Sequence, residues 1–254
     1  MPSARFSFPL FVCASVLVFA SAGCSSAPKR GEYSDRELMA AACPPLPAKK
    51  VTGSIWTKIE SKEMSGQFPA TVLADYPKKL AVEVTNLIGS PQAWLTIENG
   101  KTDLRFTAEN EKEYGKAPRA RDMLGGLPLE LAPRLFVGGV PCPTDDKNQD
   151  IRVKQTDEGR LEVLALDLRS RISTQYVYTF TKVSGHPWVS EITYEKLARR
   201  SGQGANLNLI KIVREEPSGS DGAPKRWSAS SSRGEIRVRW KDRTVQAGEP
   251  GPTH

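Results

Sequence analysis

The chain has 254 residues, with 36 Lys and Arg against 29 Asp and Glu, a formal net charge of +7, two histidines and four cysteines. The basic residues are scattered through every segment, which describes a solvated surface and argues against nucleic acid as a partner. No GxxxxGK loop, GxSxG elbow, HExxH pair or paired Cys-His spacing occurs, so neither a catalytic residue, a metal nor a cofactor is expected.

Arg5 leads into an apolar stretch from Phe6 to Ala20 that ends in "SAGCSS". The stretch is too short to span a bilayer and reads as a secretory signal. Small residues directly before Cys24, followed by "SSAPKRGEYS", resemble the bacterial lipoprotein signal. That resemblance implies removal of residues 1–23 and a lipid on Cys24; the other reading is an ordinary signal with a chance cysteine. Ser25 stands where an Asp would imply retention in the inner membrane. A lipid-anchored protein on the periplasmic face of the outer membrane is therefore expected. Cys13 leaves with the signal and Cys24 takes lipid, so Cys43 and Cys142 remain in an oxidising compartment, which suggests one disulfide. Were both reduced, the functional reading would stand unchanged.

Residues 24–33 read as a tether, and "SDRELMAAA" as a short helix with Ser34 as N-cap and Glu37 three positions on. Period-two alternation then recurs in "VTGSIWTKIE", "GQFPATVLAD", "KLAVEVT", "AWLTIENG", "TDLRFTA", "RLEVLALDL", "ISTQYVYTF", "WVSEITYEKL", "NLNLIKIV" and "GEIRVRW". Ten such runs predict an antiparallel meander within one domain over 34–245, and in the last run Ile236, Val238 and Trp240 share one face while Arg237, Arg239 and Lys241 share the other. A sheet of this size must curl or be covered. The cover is expected from "RARDMLGGLPLELAPRLFVGGVP", where Met123, Leu124, Leu127, Leu131, Leu135 and Phe136 have helical spacing. Gly125, Gly126 and Pro128 divide it into two short amphipathic helices. Residues 216–233, rich in Ser, Gly and Pro, read as a flexible loop, and 246–254 as a loose tail. One stretch is odd: in "VTNLIGSP" two large aliphatics, Leu87 and Ile88, sit at the bend of a hairpin. They either project into water or fold back on the sheet edge or Trp94.

Taken together, "VTNLIGS", "AWLTIENG", "RFTAEN" and "MLGGLPLELAPRLFVGGVP" occur in the order and spacing of the LolB family, the outer-membrane lipoprotein receptors of the LolA/LolB half-barrel superfamily. The chain resembles that family most clearly from Val51 to Pro141 and more weakly through "SEITYE" and "GEIRVRW". The resemblance implies a mainly β fold: a curved antiparallel half-barrel of about ten or eleven strands, with short helices over its concave apolar face. It further implies a monomer that takes lipoprotein acyl chains from a LolA-like periplasmic carrier and releases them into outer-membrane lipid. In the family a protruding leucine on the hairpin serves that release; Ile88 holds the matching position, with Leu87 where the family often has proline. A strand-like stretch around Leu161 to Arg171 is additional.

Residues on the expected inner faces, namely Ile55, Phe68, Val72, Val82, Val84, Leu104, Phe106, Tyr176 and Tyr178, with the six apolar residues of the cover, line an acyl-chain cavity on this reading. The same residue types would equally fill a packed core. The alternative function is an outer-membrane half-barrel lipoprotein that binds a lipid or a protein as a structural or sensory module, without transfer.

Overall fold

The computed structural model describes residues 26–62, 64–107, 121–144, 147–157, 159–197, 209–218 and 221–248. The expected signal segment, Cys24 and residues 249–254 lie outside them.

Helix α1 (Asp35–Ala42) starts where its sequence provides a reciprocal cap. The Ser34 hydroxyl accepts from the Glu37 N–H at 3.2 Å, and the Glu37 carboxylate accepts from the Ser34 N–H at 2.7 Å. Its two buried residues, Leu38 and Ala42, are four apart and so lie on one face.

Among the described residues thirteen strands follow: β1 (Lys49–Ser61), β2 (Ser65–Tyr76), β3 (Lys79–Thr85), β4 (Pro91–Glu98), β5 (Lys101–Phe106), β6 (Gln149–Gln155), β7 (Arg160–Asp167), β8 (Ser173–Val183), β9 (His186–Leu197), β10 (Ile210–Arg214), β11 (Arg226–Ser231), β12 (Gly234–Trp240) and β13 (Thr244–Ala247). They form one curved, open, antiparallel sheet in the order β5-β4-β3-β2-β1-β12-β11-β10-β9-β8-β7-β6, with β13 paired to the start of β1. The first and last parts of the chain thus meet in the middle through β1 and β12, and both edges, β5 and β6, belong to mid-chain. The connection between those edges has to cross the sheet, and its described part, residues 121–144, lies over the buried face. This topology is why residues 121–144 form the cover.

The cover differs from the expected pair of amphipathic helices. Among its described residues Asp122–Leu124 makes one 3-10 turn, and only Ala132–Phe136 (α2) is α-helical, with Pro133 in its first turn. Glycine at 125, 126 and 138, each with positive φ, ends every attempt at a longer helix. The strand count also exceeds expectation. The strands β6, β11 and β13 carry few apolar residues, and β11 lies inside the stretch read as a flexible loop, while β13 takes in the first residues of the expected tail. Flanked by β10 and β12, β11 has its backbone groups satisfied on both sides, so ladder pairing sets its conformation in spite of its serines.

Residues 26–33 run along one end of β8 and β9 as a strap. The Ser26 carbonyl accepts from the Lys182 N–H at 2.9 Å, the Lys182 ammonium pairs with Glu32 at 2.8 Å, and the Tyr33 hydroxyl donates to the Gly185 carbonyl at 2.8 Å.

Candidate functional site

Strand register assembles the inner face as rows of side chains. Ile59, Ile236, Ala229, Ile212, Ile192, Tyr178 and Leu161 stand opposite one another across seven strands. On the other half, Val72, Val82, Leu95 and Leu104 make one row and Ala70, Val84, Ala93 and Phe106 the next. Directly opposed apolar pairs of this kind contribute roughly 0.2–1 kcal/mol each.

The structure brings the expected inner-face residues into a single apolar cluster. Ile55, Val72, Val82, Val84, Tyr176 and Tyr178 are buried, as are Met123, Leu124, Leu127, Leu131, Leu135 and Phe136 from the cover; Phe68, Leu104 and Phe106 are half-buried and pack against them. The 3-10 turn sits on β1 and β12, α2 on β2 and β3, and α1 on β6, β7 and β9. Close approach needs glycine: at Gly125, with φ +60°, a Cβ would lie 2.3 Å from the Glu235 carbonyl carbon. Phe136 meets Trp227 edge-to-face with ring centroids 5.3 Å apart. Cys43, directly after α1, is bonded to Cys142, beyond α2, so a disulfide with a sequence separation of 99 links both helical parts of the cover.

Three tyrosines add polarity to one side. Tyr176 stacks on Tyr178 and meets Tyr194 edge-to-face, and the Tyr178 hydroxyl donates to the Pro141 carbonyl at 2.9 Å. Burial pushes all three phenols well above their ordinary pKa, so they are neutral donors at physiological pH. Arg214, which the sequence reading passed over, reaches from β10 to the Gly138 carbonyl of the cover at 2.9 Å and the Val189 carbonyl at 3.3 Å, with its guanidinium 4.3 Å from the Trp188 ring centroid. Burial lowers its pKa to about 10, which still leaves it charged at neutral pH. Parity held the signal: Ile210, Ile212 and Arg214 alternate onto one face, and all three are buried.

Leu87 and Ile88 stand apart from this cluster. They are 80% and 87% exposed at the β3–β4 turn. Asn86 builds the turn that projects them: its side-chain oxygen accepts from the N–H of Ile88 at 3.1 Å and of Ser90 at 2.8 Å, while its own carbonyl accepts from Gly89, whose φ is +87°. Trp94 lies elsewhere, lining a cleft of about 400 Å³ with Thr71, Leu73 and Ala81 on the outer face. A second outer-face cleft, of about 450 Å³, lies between Trp56, Val213, Arg226 and Arg239. The sequence reading did not anticipate either cleft. Cys24 lies outside the described residues.

No protein-family model matches the chain, and no curated protein matches it in sequence. The solved structures similar to it include three that cover most of its length. A LolA superfamily protein from Nitrosomonas europaea has a TM-score of 0.44 at 8% identity over 84% of this chain and 94% of that one. A protein domain from Vibrio parahaemolyticus described as outer membrane lipoprotein-sorting has a TM-score of 0.40 at 8% identity, over 84% and 92%. A DUF1329 family protein from Desulfovibrio piger has a TM-score of 0.40 at 9% identity, over 84% and 90%.

Proposed function

We propose that this chain is a LolB-like receptor of the outer membrane. It is anchored through lipid on Cys24, accepts the acyl chains of lipoproteins from a LolA-like periplasmic carrier beneath its cover, and inserts them into outer-membrane lipid. The observation that carries the reading is the pair Leu87 and Ile88, held out in water by a turn that Asn86 closes with two side-chain hydrogen bonds, on a curved sheet with an apolar inner face. A fold gains nothing by exposing two aliphatics so fully; a wedge for a bilayer needs them. Inserting one such side chain contributes about 1.5–3 kcal/mol, which orients a domain without anchoring it.

The chemistry of the cargo demands such a device. Each methylene exposed to water costs about 0.8 kcal/mol, so a bare sixteen-carbon chain costs on the order of 12 kcal/mol. Cargo must pass from one apolar shelter to the next, down a gradient of affinity in which about 1.4 kcal/mol gives a factor of ten. The inner face is packed, so entry of an acyl chain requires the cover to part from the sheet.

The packed inner face is also what favours the second reading, a half-barrel lipoprotein that binds a lipid or protein at its surface and passes nothing on. A transfer assay separates the two. The chain from residue 25 onward is mixed with a LolA-type carrier loaded with a lipoprotein, and the cargo is followed between them by pull-down. On the receptor reading cargo moves to this chain, and Ile88→Glu leaves acceptance intact while blocking release to liposomes. Cargo that stays on the carrier where a known receptor strips it would leave only the binding module.

A further inference from the structure

A second hairpin stands at the same end of the sheet as the Ile88 turn. Neighbouring strands are antiparallel throughout, and seven steps separate β3 from β8, so the start of β8 lies at the end where β3 finishes. The β7–β8 turn, Leu168 to Ile172, and the β3–β4 turn therefore face the same way, one near each edge of the sheet, with the β11–β12 turn at Arg233 between them. The two hairpins are built alike. At the second, the Asp167 carboxylate accepts from the N–H of Arg169 at 2.8 Å and of Ser170 at 2.9 Å, as Asn86 does at the first. The product is again apolar exposure: Leu168 is 56% and Ile172 40% exposed. Of the nine large hydrophobic side chains exposed among the described residues, Leu87, Ile88, Leu168, Ile172, Leu197 and Leu209 all lie at this end.

The second turn adds charge. Arg169 and Arg171 are exposed between its two aliphatics, and Arg233 is exposed on the turn between the hairpins, while the Asp167 carboxylate is occupied with backbone N–H groups. Aliphatics interleaved with arginines at a convex tip fit the headgroup layer of a bilayer, where the side-chain stems enter the acyl boundary and the guanidinium groups meet lipid phosphates.

We infer that the β7–β8 hairpin is a second membrane contact, which together with the Ile88 hairpin sets this end of the half-barrel flat against a bilayer containing anionic phospholipid. Two contacts near opposite edges fix orientation, which one wedge cannot. The inference rests on the reading of the Ile88 hairpin as a membrane wedge, and its test separates the two.

Among the described residues the buried cluster begins at Leu38, with Tyr33 packed against it, so a chain that begins at residue 24 and carries Cys24→Ala keeps all of these residues. A polarity-sensitive fluorophore is placed in turn on Leu168→Cys, on Ile88→Cys and, at the opposite end, on Gly185→Cys. Vesicles of phosphatidylcholine with and without phosphatidylglycerol are then added. The expected result is a blue shift at 168 and 88 but not at 185, stronger with phosphatidylglycerol. Arg169→Glu with Arg171→Glu is expected to weaken partition onto anionic vesicles by at least tenfold, since each arginine near an anionic surface accounts for about fivefold.

A shift at 88 with none at 168 overturns this inference and leaves the wedge reading in place. No shift at either position overturns both. If the double glutamate variant partitions normally onto vesicles yet no longer accepts cargo from the carrier, the second hairpin docks protein and the membrane assignment is wrong.

Discussion

Asn86 shows how one side chain can decide what a hairpin presents. By accepting from two backbone N–H groups it closes the turn in a form that points the following aliphatics away from the core. The sequence states that Leu87 and Ile88 sit at a bend, but their exposure depends on that acceptor geometry and on Trp94 belonging to the outer face. Phe136 is the opposite case, legible from helical spacing as a buried residue and found fully buried on Trp227. Phe136→Ala is expected to cost about 3–5 kcal/mol, read from urea denaturation. A loss below about 1 kcal/mol would mean that the cover is only loosely seated.

Among elements, the cover was legible in position and composition but not in form. Its leucines announced burial, while Gly125 and Gly126 read simply as helix breakers. Their further role is proximity, because the 3-10 turn lies on the backbone of β12 without room for a methyl group. Gly125→Ala adds a clash with the Glu235 carbonyl to strain at positive φ, so it should raise the cover and destabilise the fold by at least about 1–2 kcal/mol. Hydrogen exchange is expected to speed up across residues 121–142 before it changes in β8. Uniform acceleration throughout would show that cover and sheet unfold as one unit. The strands β6 and β11 were illegible for a related reason. "QDIRVKQ" and "RWSASS" lack a clean apolar face, and their conformation comes from neighbours that the sequence does not name.

For the whole molecule, the arrangement of the ends matters most. The strap of residues 26–33 lies at the end of β8 away from both exposed hairpins. Its ion pair also carries a pH dependence. Hydrogen bonding to Lys182 and to the Lys29 N–H lowers the Glu32 pKa. A depressed carboxylate contributes attachment that is complete above its unfolded-state pKa and is lost as pH falls through the folded value, so the strap should loosen in acid and hold at neutral pH. Lys182→Glu should loosen it at neutral pH as well, which limited proteolysis would read as faster cleavage within residues 26–33 and an intact remainder. Equal cleavage of variant and parent would show that Tyr33 and the Ser26 backbone suffice to hold it.

The position of that strap turns reach into a constraint. Cys24 is two residues before Ser26, so a lipid there is tied within about 7 Å of one pole, whereas the eleven residues of β8 place the other pole about 36 Å away. If Cys24 carries the lipid of the proposed receptor, the chain with its strap docked stands on that anchor like a mast, its apolar turns pointing away from the membrane. Ten residues from Cys24 to Tyr33, fully extended, span at most about 35 Å. On that proposed anchoring, peeling the strap from β8 would provide nearly the length by which the mast must tip over to lay those turns on the membrane that holds its foot.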